Sequence, residues 1–193
     1  PLFFMPDFIG VYDNAVPHEM CKRMIDYFEE NKTKHFRGRF MVGDDLFIDK
    51  SIKDSTDMCL DIDEECPPST IIRRVLQFYT DQYNDKHLST FEIDNYSLDR
   101  EYNMQRYDPG QGYHGLHCES FGPGNPRVLA WTLYLNTVTD GGGTYYAEYD
   151  KTIDAVEGRL CIFPAFWTHT HKGIVSNTET KYIATGWHVY HND

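Results

Sequence analysis

The sequence has few long apolar runs and few basic residues, and each of these shortages excludes a class of partner. Its apolar runs are short and broken by polar residues, so no membrane-spanning helix is predicted. Lys and Arg number 18 against 30 Asp and Glu, which gives a formal net charge of −12. A surface this acidic argues against binding to the phosphate backbone of nucleic acids. We therefore expect neither a membrane nor a nucleic acid as a partner.

Cysteine is too scarce for a disulfide framework. The five cysteines are odd in number and form no Cys-x-x-Cys pair. A chain of 193 residues with 40% apolar residues can build its core without disulfides. The N-terminal stretch, Pro1-Leu-Phe-Phe-Met-Pro-Asp, lacks the basic region and long apolar segment of a secretory signal. These features predict a protein of a reducing compartment, the cytoplasm.

Helical periodicity is confined to the first half of the chain. After a short strand at Phe8–Tyr12, one amphipathic helix is predicted between residues 16 and 30, and a second from about Pro68 to Tyr83. Residues 33–65 are polar, which predicts a loop-rich insertion with one or two short strands. The core stripe of the first helix is expected to contain Met20, Met24, Ile25 and Phe28.

From residue 91 onward, short strands replace the helices, with glycine and proline turns between them. Helices followed by a run of strands predict a mainly β (α+β) protein, with antiparallel sheets forming a sandwich or barrel and helices packed outside. We expect a single domain over residues 1–193, with a helical flank and lid loops in 1–90 and the core strands in 91–193. The expected core strands are Tyr102–Tyr107, Val128–Asn136, Leu160–Phe163 and Lys181–Tyr190.

The most informative segment runs from Tyr107 to Glu119. His117 and Glu119 are two residues apart in a segment that reads as a strand, so the imidazole and the carboxylate share one face. One more histidine would complete two imidazoles and one carboxylate, a ligand set that suits Fe(II) and leaves coordination positions open. A lone His-x-Glu also occurs on solvated strand faces. The distant His169 and His171 share a strand face in this interpretation, so either is a candidate for the third ligand.

The last strand carries a lysine among apolar neighbours. Lys181 alternates in line with Ile183, Trp187 and Val189 on one face. A lysine in such a row is costly to bury unless an anion lies beside it. This favours a salt bridge to a ligand carboxylate inside a barrel, while a strand-start lysine that reaches water is the other interpretation.

An apolar segment, Phe163-Pro-Ala-Phe-Trp, precedes the two histidines. It would form a wall that excludes water from a reactive iron centre. The plainer interpretation is that Phe166 and Trp167 are ordinary core or interface residues.

Taken together, these motifs resemble those of the Fe(II)/2-oxoglutarate-dependent dioxygenases, specifically the prolyl-4-hydroxylase-like branch. Residues 105–119 are similar to that branch's Tyr-x-x-Gly…His-x-Asp element. Gly141-Gly-Gly-Thr-Tyr-Tyr is similar to its glycine turn, and residues 158–164 to its strand ending in Phe-Pro. The resemblance runs from Phe8 to Trp187. It implies a double-stranded β-helix (jelly-roll) with N-terminal flanking helices.

The resemblance also implies roles for the site residues. Iron would be held by His117, Glu119 and a distal histidine. A basic residue ten positions after the distal histidine would bind the 5-carboxylate of 2-oxoglutarate. Lys181 is ten positions after His171, which favours His171 as the ligand and leaves His169 as the fallback.

Two tyrosines and a tryptophan complete the implied site. Tyr107 and Tyr134 fall where similar enzymes place hydroxyl groups near the cosubstrate, and Trp187 where an aromatic ring often borders the site. The chain departs from the family pattern at Glu119, where aspartate is commoner. The residues before Lys181 also lack the usual Pro-Val and Gly, which weakens the register behind the choice of His171.

The resemblance implies hydroxylation of an unactivated C–H bond with formation of succinate and CO2, with ascorbate as a candidate reductant. The substrate would be a prolyl residue in a peptide, clamped by residues 33–60, or a small molecule. The alternative class is a non-catalytic jelly-roll or cupin-like binding module. A cupin would place a glutamate four or five positions after its His-x-His, where this chain has Val175 and Ser176. A jelly-roll with a degraded site is a third interpretation.

Overall fold

Fifteen short strands and two helices make up the part of the chain that the computed structural model describes, residues 6–42, 45–120 and 124–191. The helices are α1 (His18–Glu30) and α2 (Pro67–Lys86). The strands are β1 (Gly10–Tyr12), β2 (Phe36–Arg37), β3 (Phe40–Val42), β4 (Asp45–Phe47), β5 (Lys53–Asp54), β6 (Thr56–Asp61), β7 (Tyr96–Leu98), β8 (Glu101–Tyr107), β9 (Gly112–Tyr113), β10 (Arg127–Tyr134), β11 (Thr144–Tyr146), β12 (Lys151–Ile153), β13 (Leu160–Pro164), β14 (His171–Gly173) and β15 (Lys181–Tyr190).

Both predicted helices form, and each begins at a proline. Pro17 precedes the first residue of α1, and α2 begins at Pro67, where the fixed φ of proline suits a helix start. The buried stripe of α1 contains Cys21, Met24 and Phe28, so the expectation that Met20 is in the core is wrong. The helix faces the sheet one residue further round than predicted, which leaves Met20 at the surface. Neither described helix is long and apolar enough to cross a lipid bilayer.

Most of the described strands assemble into one large and one small antiparallel sheet, and β3–β4 and β5–β9 form two separate two-stranded sheets. The large sheet has the order β1-β13-β10-β15-β8-β6-β2, with β7 also paired to β15, and the small sheet has the order β12-β11-β14. All pairings are antiparallel within these two sheets, and neither sheet closes on itself. The protein is therefore mainly β with two flanking helices in a jelly-roll arrangement, which confirms the predicted fold class.

The large sheet buries both of its faces. Along β10, Trp131 and Leu133 point to a core shared with α1 and α2. Ala130 and Tyr134 alternate with them and point to a second core shared with the small sheet, which contributes Tyr146. The second core supports one side of the site described below, since the two sheets face each other across it.

The prediction for residues 33–65 is wrong. Five strands form there instead of one or two, and β6 joins the large sheet between β8 and β2. The misleading feature is Asp57, a charged residue on an inward face of β6 that is buried by an ion pair. Because charged residues this close in sequence are usually solvated, the polar pattern resembles that of a loop.

Candidate metal centre

The structure brings His117, Glu119 and His171 together. Their ligand atoms all lie within 4.8 Å of one another. The segment around His117 is not the strand that was predicted, but an isolated antiparallel bridge to His171. The His117 N–H donates to the His171 carbonyl at 3.0 Å, and the His171 N–H donates back at 2.8 Å. These two backbone bonds place the two side chains next to each other, with their ring centroids 4.4 Å apart.

Backbone carbonyls determine which nitrogen of each imidazole faces the cluster. Nδ1 of His117 lies 2.9 Å from the Gly115 carbonyl, and Nδ1 of His171 lies 2.8 Å from the His169 carbonyl. A carbonyl only accepts, so each Nδ1 carries the proton and each Nε2 has a free lone pair. The two Nε2 atoms lie 3.5 and 3.4 Å from Oε1 of Glu119. Three acceptors this close repel one another unless they share a cation or a proton, so the donor set fits a divalent metal.

The other oxygen of Glu119 is held from the opposite side. Trp187 donates its indole N–H to Oε2 at 2.8 Å. The Arg127 guanidinium stacks 3.5 Å above the Trp187 ring and lies 3.5 Å from the same oxygen. Burial alone would raise the pKa of Glu119. Where a shared proton stands in for the cation, hydrogen bonds and positive charge at His117 and His171 outweigh burial and hold that pKa well below its ordinary value. The carboxylate is therefore ionised and oriented with Oε1 towards the histidines.

His169 lies outside this cluster. It ends a 3-10 turn, Trp167–His169, rather than sharing a strand with His171, and it is 2% exposed. Its Nε2 donates to the Asp7 carbonyl at 2.7 Å, and its Nδ1 lies 2.9 Å from the Thr168 hydroxyl. Both ring nitrogens are thus engaged away from Glu119. Of the two candidates, His171 is the one that the fold places beside His117 and Glu119.

A cavity of about 660 Å³ opens from the three residues towards the large sheet. Lys181 lines it and is 6% exposed, with its Nζ 4.6 Å from the centroid of the Tyr107 ring. Among the described residues, no carboxylate lies within ion-pair distance of this ammonium. Burial lowers the pKa of Lys181 to about 8. A buried cation without a counter-ion in a cavity is a ready binding point for an anionic group of a ligand.

Hydroxyl groups lie in the same cavity. Tyr107 and Tyr134 both line it and are almost fully buried. The Tyr134 hydroxyl is 2.6 Å from that of Thr144, and the Tyr107 hydroxyl donates to Gln105 at 2.7 Å. The Tyr134–Thr144 pair shares one hydrogen between two oxygens, which leaves one hydroxyl proton for a ligand.

The predicted water-excluding wall is partly wrong. Phe166 and Trp167 are 41% and 70% exposed, because the chain leaves β13 at Pro164 and the following turn directs them outward. The apolar surroundings of His171 come instead from buried Phe163 and Tyr146, whose ring centroids lie 5.1 and 5.6 Å from its own. The wall exists, with Phe163 from the predicted segment and Tyr146 in place of Phe166 and Trp167.

Two residues near the cluster were missed by the sequence reasoning. Tyr113 stacks on the His117 imidazole at 3.7 Å with an interplanar angle of 11°. Its position four residues before His117 was an available signal. The sequence around Arg127 gave no such indication, because its proximity to Glu119 depends on how β10 lies beside the segment that carries His117 and Glu119.

Comparison with known proteins identifies the fold. The sequence profile of the 2OG-Fe(II) oxygenase superfamily matches residues 102–189, which include all three converging residues and Lys181. This match covers just under half of the chain and shows its likeness to the 2OG-Fe(II) oxygenase superfamily. No curated protein sequence matches it significantly. The matched family implies Fe(II) as cofactor and 2-oxoglutarate as cosubstrate, and the donor set described above fits that ion.

Solved prolyl hydroxylases share the fold of this chain at low sequence identity. The viral collagen prolyl hydroxylase of Paramecium bursaria Chlorella virus-1, in complex with 2-oxoglutarate, is 17% identical, with a TM-score of 0.65 over 96% of this chain and 97% of that one. A Pseudomonas putida prolyl-4-hydroxylase is 14% identical, with a TM-score of 0.69 over 95% and 93%. A Trichoplax adhaerens prolyl hydroxylase, in complex with a hypoxia inducible factor peptide fragment, is 16% identical, with a TM-score of 0.71 over 95% and 84%.

Proposed function

We propose that this oxygenase binds Fe(II) through His117, Glu119 and His171 and hydroxylates a C–H bond of a prolyl residue in a peptide. One observation supports the proposal above all others. Three mutually repelling acceptors converge in the same cavity as a buried ammonium, that of Lys181, which has no ion-pair partner in the described part of the chain. A dicarboxylate that binds a metal at one end and a cation at the other fits both features.

In this proposal, Lys181 binds the 5-carboxylate of 2-oxoglutarate. Its ammonium lies over the Tyr107 ring, and the Tyr134–Thr144 hydroxyl pair offers a further donor to the same carboxylate. A buried cation that gains an anion is relieved of its desolvation penalty, so the binding energy is concentrated at this end. Trp187 and Arg127 keep Oε2 of Glu119 occupied, so that Oε1 faces the metal.

Bound iron would supply the oxidation, in which O2, 2-oxoglutarate and the substrate R–H give R–OH, succinate and CO2. The protein's contribution is to orient the ligands and the cosubstrate and to exclude water. Phe163 and Tyr146 provide the dry side of the site at His171. Ascorbate as a reductant is part of this proposal, on the resemblance alone.

The peptide substrate is supported by the hairpin of β3 and β4. Met41 and Leu46 line the cavity from this hairpin and are exposed, as are Phe47 and Ile48 beyond them. A set of exposed apolar side chains at a cavity mouth fits an extended polypeptide better than a small polar molecule. The Trichoplax adhaerens enzyme of the same fold holds a peptide fragment in its complex.

The proposed activity predicts succinate formation that requires both Fe(II) and a proline-containing peptide. We expect purified protein with Fe(II), 2-oxoglutarate and ascorbate to release succinate in step with peptide hydroxylation, measured by mass spectrometry across peptides and free amino acids. The matched control replaces proline with alanine in each responding peptide. Turnover driven by free amino acids alone would overturn the peptide assignment. Failure of anaerobic Fe(II) and 2-oxoglutarate to produce a visible charge-transfer band would overturn the oxygenase site itself.

The pKa of Lys181 predicts how cosubstrate binding depends on pH. Its ammonium is the form that binds a carboxylate, and its pKa is about 8 in the free protein. The dissociation constant of 2-oxoglutarate should therefore be constant below pH 8 and rise by about tenfold per pH unit above it, until the higher pKa of the bound state is reached. Calorimetric titration of the Mn(II)-loaded protein measures this. Lys181→Arg stays charged and should show no rise; a rise of equal steepness there would contradict the explanation.

A further inference from the structure

A buried ion pair lies beside the cavity, apart from the residues assigned above. Lys53 Nζ and Asp57 Oδ2 are 2.7 Å apart, and the two side chains are 5% and 3% exposed. Both residues line the cavity. Buried ion pairs are often no more stabilising than apolar residues of the same volume, because desolvation offsets their attraction. A role besides stability is therefore worth seeking in what each end of the pair contacts.

At its acidic end, the pair determines the orientation of the Tyr107 hydroxyl. Asp57 Oδ2 accepts from the Gln105 side-chain amide at 3.3 Å, and Oδ1 accepts from the Ser55 hydroxyl at 2.7 Å. A carboxylate only accepts, so the Gln105 NH2 group faces Asp57 and its carbonyl oxygen faces Tyr107. The Tyr107 hydroxyl must then donate to Gln105, at 2.7 Å. The Tyr107 ring is thereby held beneath the Lys181 ammonium.

At its basic end, the pair reaches the metal ligand His117. Lys53 lies opposite Tyr113 in the β5–β9 pairing, and its Nζ is 5.7 Å from the centroid of the Tyr113 ring. The same ring stacks on the imidazole of His117 at 3.7 Å. In addition, the Ile52 carbonyl accepts the His114 N–H at 2.7 Å, which links the residue before β5 to the segment that carries His117. Lys53 thus supports the ring plane that His117 rests against.

We infer that Lys53 and Asp57 are positioning residues that couple the cosubstrate end of the cavity to the metal end. The inference rests on the proposed function. Asp57 acts through Gln105 on Tyr107, and Lys53 acts through Tyr113 on His117. Neither residue contacts a predicted ligand directly. The pair sets the distance and angle between the place where the 5-carboxylate binds and the imidazole that binds the metal.

The test removes both charges at once. The double variant Lys53→Met/Asp57→Leu avoids leaving one charge buried alone, which would unfold the chain. We expect it to fold, to show an altered visible spectrum of bound Co(II), and to bind 2-oxoglutarate about tenfold more weakly than the unaltered protein, in the range typical of residues behind metal ligands. A second variant, Gln105→Leu, removes only the hydrogen-bonded connection from Asp57 to Tyr107. It should weaken 2-oxoglutarate binding while leaving the Co(II) spectrum unchanged.

A surface ion pair in the same segment provides the control. Lys50 and Asp54 are also four residues apart, at 3.5 Å, and Lys50 is exposed. Lys50→Met/Asp54→Asn should change neither the Co(II) spectrum nor the affinity for 2-oxoglutarate.

If Lys53→Met/Asp57→Leu or Gln105→Leu binds 2-oxoglutarate and Co(II) as the unaltered protein does, the inference is wrong while the proposed function stands. If the unaltered protein binds no 2-oxoglutarate in the presence of metal, the proposed function fails and this inference with it.

Discussion

Replacing His171 with alanine should abolish metal binding and turnover together. His171 supplies one of three acceptors within 4.8 Å, and its loss leaves only His117 and Glu119. Residues behind the ligands of a metal already change its affinity by about 10- to 100-fold, so the loss of a ligand should exceed about 100-fold. Calorimetric titration with Mn(II) measures the affinity, and succinate release measures turnover. Circular dichroism checks that the variant is folded.

The matched control is the neighbouring histidine. His169→Gln keeps a side-chain N–H that can donate to the Asp7 carbonyl, as Nε2 of His169 does. It should bind Mn(II) within a few-fold of the unaltered protein, because His169 directs both its nitrogens away from Glu119. The reverse pattern, with metal binding lost in His169→Gln and kept in His171→Ala, would overturn the assignment of the distal ligand.

Replacing Lys181 with methionine should stabilise the folded protein and at the same time greatly weaken its binding of 2-oxoglutarate. Burial of the ammonium lowers the pKa of Lys181 to about 8, so between pH 8 and 10.5 the unfolded chain binds more protons and folding is favoured as pH rises. At pH 7 the buried charge therefore destabilises the folded state, by roughly 2 kcal/mol or more. Methionine fills a similar space without the charge. We expect a melting temperature higher by about 5 °C.

The same substitution should weaken 2-oxoglutarate binding by roughly 100-fold, since removing one member of a desolvated ion pair costs about 3 kcal/mol. Thermal unfolding and calorimetric titration of the Mn(II)-loaded variant give the two values. Lys32→Met, at an exposed position, should change neither. A variant that loses stability, or one that still binds 2-oxoglutarate normally, would contradict the role given to Lys181.

The elements that sequence reasoning predicted well are those whose pattern is local. Helix α2 has apolar residues at helical spacing after two prolines. The strands β10, β13 and β15 have apolar runs, and β8 alternates polar and apolar residues. Each of these patterns can be interpreted without knowing what the element packs against. Strand β6 was not predicted individually because Asp57 is buried by its ion pair with Lys53 and by Gln105, which lies 48 residues away, and a local polar pattern does not reveal that burial.

The candidate site shows the same division. The spacing of His117 and Glu119 predicted that their side chains lie on one side, and the ten-residue spacing to Lys181 favoured His171. Contacts that depend on the direction of a turn could not be predicted from the sequence. The 3-10 turn before His171 sends Trp167 outward, whereas hydrophobicity alone placed it in a wall. The reciprocal backbone bonds between His117 and His171 likewise join segments more than fifty residues apart.

Because the Trp187 indole donates a hydrogen bond to Glu119, its fluorescence is expected to report on metal binding at that carboxylate. The other two tryptophans lie in contrasting surroundings: Trp131 is fully buried on the helix side of the large sheet, and Trp167 is largely in solvent. Indole emission depends on the polarity and charge around the ring, so the three contribute separable signals. An ion bound at Glu119 would lie one carboxylate away from the Trp187 indole, so we expect its binding to quench the fluorescence of Trp187 without any label.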